Sequence, residues 1–436
     1  MKKTIAAFLL LFAVLSGFPA HAAEPVLQLK LAPTTRIVLD NGMVLIIRER
    51  HDMDNVGVYL SIGAGQLTEE EGEMGITHLL QNYLIETPVE SFHDTATAIE
   101  SQGGVISASS GPDSSDIQID ATAREFPFAM KVLGDLTHLQ SIDPKIFDLE
   151  KDDALHQIHQ QSEEAYPSLY SYFLSEFYSF HPYKVPVVGL TATIKSLTPK
   201  KIFDYYARYY VPNNMVLAIV GNVDTDRVIQ LVNHEFSDLQ RKPIKADDIY
   251  YQPILDEQKQ IQLQDNGNIA WLFVGFSAPE FKSQDYPDMQ VINSILGASM
   301  SSRIWLSIRE KRGLSYELGS QYSAREGPSH FVIYVATSPE NLKESRTNLL
   351  KEVDRIREEP LTEEELEITK RRLIGQFILS LENNLSQAEF LAHSELLGKG
   401  IMYDEAYIDQ IRKVTSAQVL AIAKKYLENY ILISVE

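Results

Sequence analysis

The chain has 436 residues and no cysteine, so disulfides, thiolate metal sites and a cysteine nucleophile are all excluded. With 44% hydrophobic residues it has material for two substantial cores. A formal net charge of −21 argues against nucleic acid and anionic membrane as partners, and solubility alone accounts for it.

The N-terminus reads as a cleavable export signal. Lys2 and Lys3 form its charged end, and Ile5 to Val14 is an apolar stretch too short to span a bilayer. Ala20-His21-Ala22 fits the small-x-small cleavage rule, so residues 1–22 are expected to be removed, leaving a mature chain of charge −23 that begins at Ala23. The signal carries no cysteine for a lipid anchor, and no later apolar run is long enough to cross a membrane. The expected location is the periplasm or the exterior.

Strands are predicted at Thr35–Leu39 and Met43–Ile47, joined by the hairpin dipeptide Asn41-Gly42, and again at Val56–Ile62. A helix follows from Gly75. Ile76, Leu79, Leu80, Tyr83 and Leu84 recur at helical spacing, and His78, Gln81 and Asn82 fall together on the opposite face. A zinc protease of the inverted His-x-x-Glu-His kind needs two imidazoles and a carboxylate there, the carboxylate to take a proton from the bound water. Only the first imidazole is present. A glutamine offers no basic oxygen, and a neutral amide is a poor zinc ligand.

Next come a strand at Val105–Ser110 after Gly103-Gly104 and a helix from Phe147 to Gln161. On this helix His156 and His159 stand at i, i+3, where solvated histidines are the expectation and a rebuilt metal site of His78 with His156 is the alternative. Ile194, Thr198, Ile202 and Tyr209 then match Ile411, Thr415, Val419 and Tyr426 at a constant offset of 217. In both copies the helical pattern leads into an apolar strand, Met215–Gly221 in one and Ile431–Val435 in the other. A second echo pairs the helix starting at Asp143-Pro144 with the one at Leu361-Thr362, and a repeat of this length marks a duplicated domain. The predicted fold class is α+β: two tandem homologous domains, each a mixed, mostly antiparallel sheet with helices packed on one face. Their expected bounds are 23–238 and 259–436, with a polar linker over 239–258.

Several stretches together carry a family resemblance: Leu39-Asp40-Asn41-Gly42, Gly63-Ala64-Gly65, Ile99–Gly104, His181-Pro182-Tyr183, Pro212–Met215, Met300–Arg303 and Arg309–Tyr316. Through them the chain resembles the pitrilysin-like zinc peptidases, in particular the two-domain subunits that assemble in pairs, such as those of mitochondrial processing peptidase. The resemblance implies a clamshell half and assigns positions. Gln81 stands where the family has its general base, Asn82 where it has the second imidazole, and Gln157 where it has the carboxylate ligand. Loss of the base alone should cost roughly 10²–10⁴ in rate, and a lone imidazole does not hold zinc. The resemblance also makes Arg309 and Tyr316 the pair that reaches across to an opposing zinc site and holds the substrate carbonyl and its oxyanion. It makes Val105–Ser110 the edge strand that pairs with an extended peptide, with Ser107, Ala108 and Ser109 as its contact residues.

The pattern is asymmetric, with the zinc half degenerate and the Arg/Tyr half intact. The implied function is the zinc-less subunit of a periplasmic metallopeptidase heterodimer, with no cofactor of its own and a zinc-bearing homologue as partner. It would bind peptide or unfolded polypeptide, and pitrilysin-type chemistry would belong to the complex. A non-enzymatic peptide-binding or scaffold homodimer is the alternative, and an active enzyme with an atypical metal is a third.

Overall fold

The fold was analysed in a computed structural model that describes residues 30–89, 91–244, 254–264 and 267–436. The expected signal and residues 245–253 of the expected linker lie outside the described residues. The strands are β1 (Thr34–Val38), β2 (Val44–Glu49), β3 (Asn55–Ile62), β4 (Val105–Ser110), β5 (Ser115–Thr122), β6 (Met215–Gly221), β7 (Lys259–Leu263), β8 (Ala270–Ala278), β9 (Glu317–Ser323), β10 (Ser329–Thr337) and β11 (Ile431–Val435). They form two sheets, ordered β1-β2-β6-β3-β5-β4 and β7-β11-β8-β10-β9. Pairing is antiparallel except for β2 with β6 and β7 with β11. Without β1 the two orders coincide, so the duplication seen in the sequence is a duplication of sheet topology.

The helices of the first half are α1 (Ile76–Glu86), α2 (Thr95–Glu100), α3 (Phe126–Thr137), α4 (Pro144–Glu163), α5 (Ala165–Phe177), α6 (Thr191–Ser196), α7 (Pro199–Tyr209) and α8 (Thr225–Phe236). Those of the second are α9 (Tyr286–Leu296), α10 (Leu342–Glu358), α11 (Glu363–Ser380), α12 (Asn384–Leu396), α13 (Tyr403–Lys413) and α14 (Ser416–Tyr426). Local chemistry explains the repeat columns. Thr198 and Thr415 are N-caps whose hydroxyls accept the amides of Lys201 and Gln418, and Ile202, Val419, Tyr209 and Tyr426 lie on the buried faces that follow. Asp143 and Thr362 cap α4 and α11 in the same way.

Helices cover one face of each sheet, as the sequence predicts. The second face is covered as well, and by the other half. β6, β8 and β11 are buried along their whole length, which an apolar run without alternation requires. On the first sheet the covering helix is α12, whose Ala388, Leu391 and Ala392 pack on Ile46, Tyr59, Val216, Ala218 and Val220. On the second it is α5, whose Leu169, Phe173 and Phe177 pack with Trp271, Phe273, Val332 and Ile433. Each half thus lends one helix to its neighbour. A glycine at the middle of each receiving strand makes room. A Cβ on Gly57 of β3 would lie 2.5 Å from the Leu385 backbone of α12, and one on Gly275 of β8 would lie 2.0 Å from the Phe173 ring of α5. A buried ion pair ties the exchange: Arg48 of β2 meets Asp404 of α13 at 2.6 Å and Gln387 of α12 at 3.0 Å. Among the described residues no helix is long and apolar enough to cross a membrane.

Candidate functional site

α1 begins at Gly75, whose φ of 91° and whose approach to Gly189 leave no room for a side chain. The Glu69 carboxylate caps it, accepting the amides of Gly75 at 2.8 Å and Thr77 at 3.1 Å. Burial pushes the Glu69 carboxyl up to about 7 against the pull of these amides. One turn into α1, the His78 ring meets two partners. Its Nε2–H donates to Gln157 Oε1 of α4 at 2.8 Å, and its Nδ1 lies 3.3 Å from the hydroxyl of Ser110 at the end of β4. Burial holds the His78 pKa below its usual value, so the ring is neutral with its proton on Nε2.

Gln81 is not on an open polar face with His78. It is fully buried, donates to the Tyr210 hydroxyl, and its Oε1 has no hydrogen-bond partner. The helical wheel placed it correctly, but the side of α1 away from the main apolar stripe is itself covered by protein. Asn82 is half-buried beside it. The structure therefore brings His78 and Gln157 into contact, with Gln81 and Asn82 in the same stretch of helix. It does not bring His156 to His78: His156 is exposed, and His159 reaches Glu163 at 3.3 Å on the surface of α4. A rebuilt site from His78 and His156 is not formed. One imidazole among neutral amides does not fit zinc, and among the described residues no group of three or more His, Cys, Asp or Glu could hold a metal. Glu150, two turns before Gln157 on α4, is a buried carboxyl that the sequence patterns do not single out. Burial and the nearby Glu86 and Asp153 push its carboxyl up to about 7.

Among the described residues β4 forms the outer edge of the first sheet and pairs only with β5. Ser107 accepts from Gln118 Nε2 at 2.6 Å, Ala108 is half-buried and Ser109 is exposed. The free backbone edge of β4 ends at Ser110, against His78.

In the second half Arg309 lies in a π-helical turn, Trp305–Glu310. Gly313, at φ 65°, ends the turn and sends the chain back, its amide bonding to the Arg309 carbonyl. This return places Tyr316 beside Arg309, whose Nη1 donates to the Tyr316 carbonyl at 2.6 Å. The Arg309 guanidinium also stacks on the Trp305 ring, 4.6 Å from its centre. The Tyr316 side chain is 67% exposed, so it is no core aromatic. Among the described residues Arg309 makes no ion pair within 4 Å, although it is exposed. Trp305 was not foreseen, although its place four residues before Arg309 on a helix was the available signal. Arg303 of the same phrase is structural: it holds Glu365 of α11 through two bonds of 2.8 Å.

Two tandem α+β units, the first with no zinc motif among its described residues and the second with an exposed Arg/Tyr pair, define a two-domain α+β class. The chain belongs to the insulinase family of peptidases, M16. The model of that family, "Insulinase (Peptidase family M16)", matches residues 44–190, and the "Peptidase M16 inactive domain" matches residues 196–373. The uncharacterised zinc protease YmxG of Bacillus subtilis is 25% identical over 400 residues, covering 91% of this chain and 97% of its own. The uncharacterised zinc protease Rv2782c of Mycobacterium tuberculosis is 25% identical over 401 residues, covering 91% of each. The same fold is found in a protease from Helicobacter pylori, with a TM-score of 0.87 at 19% identity over 93% of this chain and all of that one. It is found again in a peptidase M16 inactive domain from Pseudomonas fluorescens, with a TM-score of 0.83 at 19% identity over 92% and 97% of the two chains.

Proposed function

We propose that this chain is the zinc-less subunit of an exported, periplasmic M16 metallopeptidase. It would pair with a homologous subunit that keeps His-x-x-Glu-His, bind extended peptide, and present Arg309 and Tyr316 to the partner's zinc site. The observation that carries the reading is the contrast between the two halves. His78 bonds Gln157, and the Gln81 and Asn82 beside them are neutral amides, so this face carries no carboxylate base. Arg309 and Tyr316 are braced by Trp305 and Gly313, and both side chains are exposed. An exposed guanidinium and phenol held in fixed relation are suited to a carbonyl oxygen that gains charge during water attack. The open edge of β4 can add a peptide as a further strand, with Ser107, Ala108 and Ser109 alongside it.

The test is reconstitution. Neither this chain nor an exported paralogue with the intact motif should hydrolyse unfolded polypeptide alone, and the one-to-one mixture should. In the mixture, Arg309→Ala and Tyr316→Phe should each lower kcat by about 10²–10³ with a smaller change in KM. His78→Ala should leave activity near the starting level. Silent Arg309 and Tyr316 variants in a folded, active complex would reduce this subunit to a scaffold.

A further inference from the structure

A cavity of about 280 Å³ opens at the N-terminal end of α9, lined among others by Asp288, Lys282, Lys399 and Lys413. We propose that it is a binding site for a small zwitterion, a free α-amino acid, whose ammonium bonds Asp288 and whose carboxylate faces Lys399 and Lys413. The inference does not rest on the peptidase reading, although an amino acid is the chemical class that peptide hydrolysis ends in.

Asp288 is 6% exposed, and its Oδ1 has no hydrogen-bond partner among the described residues. A carboxylate oxygen in that position needs a donor, and a cationic one serves best. None of the described residues supplies it. The neighbouring Asp285 takes Lys425 at 2.7 Å and the Tyr426 hydroxyl at 3.2 Å, while Lys282 is held by Glu326 at 2.8 Å. Lys399 lies over the rings of Phe281, Tyr286 and Tyr403, at 5.4, 5.7 and 5.1 Å from their centres. Burial lowers the Lys399 pKa. Lys413 stands exposed on the rim, at the end of α13.

The mixture of charges selects the ligand. A metal ion would meet one carboxylate and several ammonium groups. A simple anion would meet a buried, unpartnered carboxylate. A ligand with an ammonium and a carboxylate a few ångströms apart satisfies both. The cavity is smaller than the roughly 300–1,000 Å³ of sites for drug-sized molecules, which suits an amino acid. The matching place in the first half is shut: Gly75 abuts Gly189, and the Glu69 carboxylate already fills the end of α1.

Isothermal titration of the purified full chain with L-alanine and L-leucine tests this. One saturable site per chain is expected, with binding at least about tenfold weaker for N-acetyl-leucine, which lacks the ammonium, and for leucine amide, which lacks the carboxylate. Asp288→Asn should weaken leucine binding at least about tenfold, and the exposed Lys413→Gln should weaken it severalfold with an unchanged melting temperature, which keeps the test decisive if the first variant folds poorly. No saturable binding up to about 10 mM, equal binding of either blocked leucine, or unchanged binding by a folded Asp288→Asn or Lys413→Gln protein would each overturn the proposal.

Discussion

Glu69 and Gln157 illustrate how much of this site depends on single side chains. Folding raises the Glu69 carboxyl from 4.5 to about 7, so the folded chain holds a proton that the unfolded chain has lost. The resulting stability is complete below pH 4.5 and disappears as pH rises through 7, by about 3 kcal/mol in all. Glutamine cannot titrate. The stability of Glu69→Gln relative to wild type should therefore improve by about 2–3 kcal/mol between pH 5 and pH 8, measured by urea unfolding at both. A constant difference would mean that Glu69 does not titrate in this range. At the amide set, wild-type protein should carry no stoichiometric zinc, whereas Asn82→His with Gln157→Glu should carry about one per chain, because Gln157 already sits 2.8 Å from His78. Elemental analysis of both proteins checks this, and zinc in wild type that is lost with His78→Ala would contradict the reading. The resemblance made His78, Gln157, Arg309 and Tyr316 legible as positions. It could not reveal Tyr210 under Gln81, Ser110 beside His78, or the Glu69 cap, since these contacts join residues far apart in sequence or without periodic signature.

At the scale of elements, the predicted strands lie within a few residues of those observed because their turns are explicit and their apolar runs short, whereas β5, β7, β9 and β10 have no predicted counterpart. Val105–Ser110, Met215–Gly221 and Ile431–Val435 were placed as they stand. What the pattern of one strand does not say is which helix covers it. Glycines mark where the covering helix comes close, not which helix it is. Gly57 and Gly275 occupy corresponding strands, and each admits a helix from the opposite half. Gly57→Ala and Gly275→Ala should each destabilise by about 1–3 kcal/mol, since backbone or a buried ring must move. Gly72→Ala, where a Cβ meets nothing within 4 Å, should stay within about 0.5 kcal/mol. Thermal unfolding of the three variants separates a packing role from a general cost of losing glycine. Equal, small effects at all three would remove the close-approach argument.

For the whole molecule, the exchange of α5 and α12 makes the halves interdependent. Residues 31–244 expressed alone would leave Ile46, Tyr59, Val216, Ala218 and Val220 uncovered and Arg48 without Gln387 and Asp404. That fragment should aggregate or bind a hydrophobic dye, and co-expression with residues 254–436 should restore a soluble one-to-one complex. A soluble, cooperatively folding single half would show that the exchanged helix is dispensable. The offset repeat announced the duplication, but nothing in the sequence of either half announced the trade of helices, because amphipathic spacing is the same whichever sheet a helix covers. The trade also has a consequence for mass action. A chain with one copy of the unit would have one sheet and one such helix, and in this geometry the helix could reach only a second molecule, so its folding would depend on dimerisation. Joining two copies replaces that encounter by an intramolecular one, at an effective concentration on the order of millimolar for a short flexible connection. The folded fraction then no longer depends on how much of the protein a cell makes.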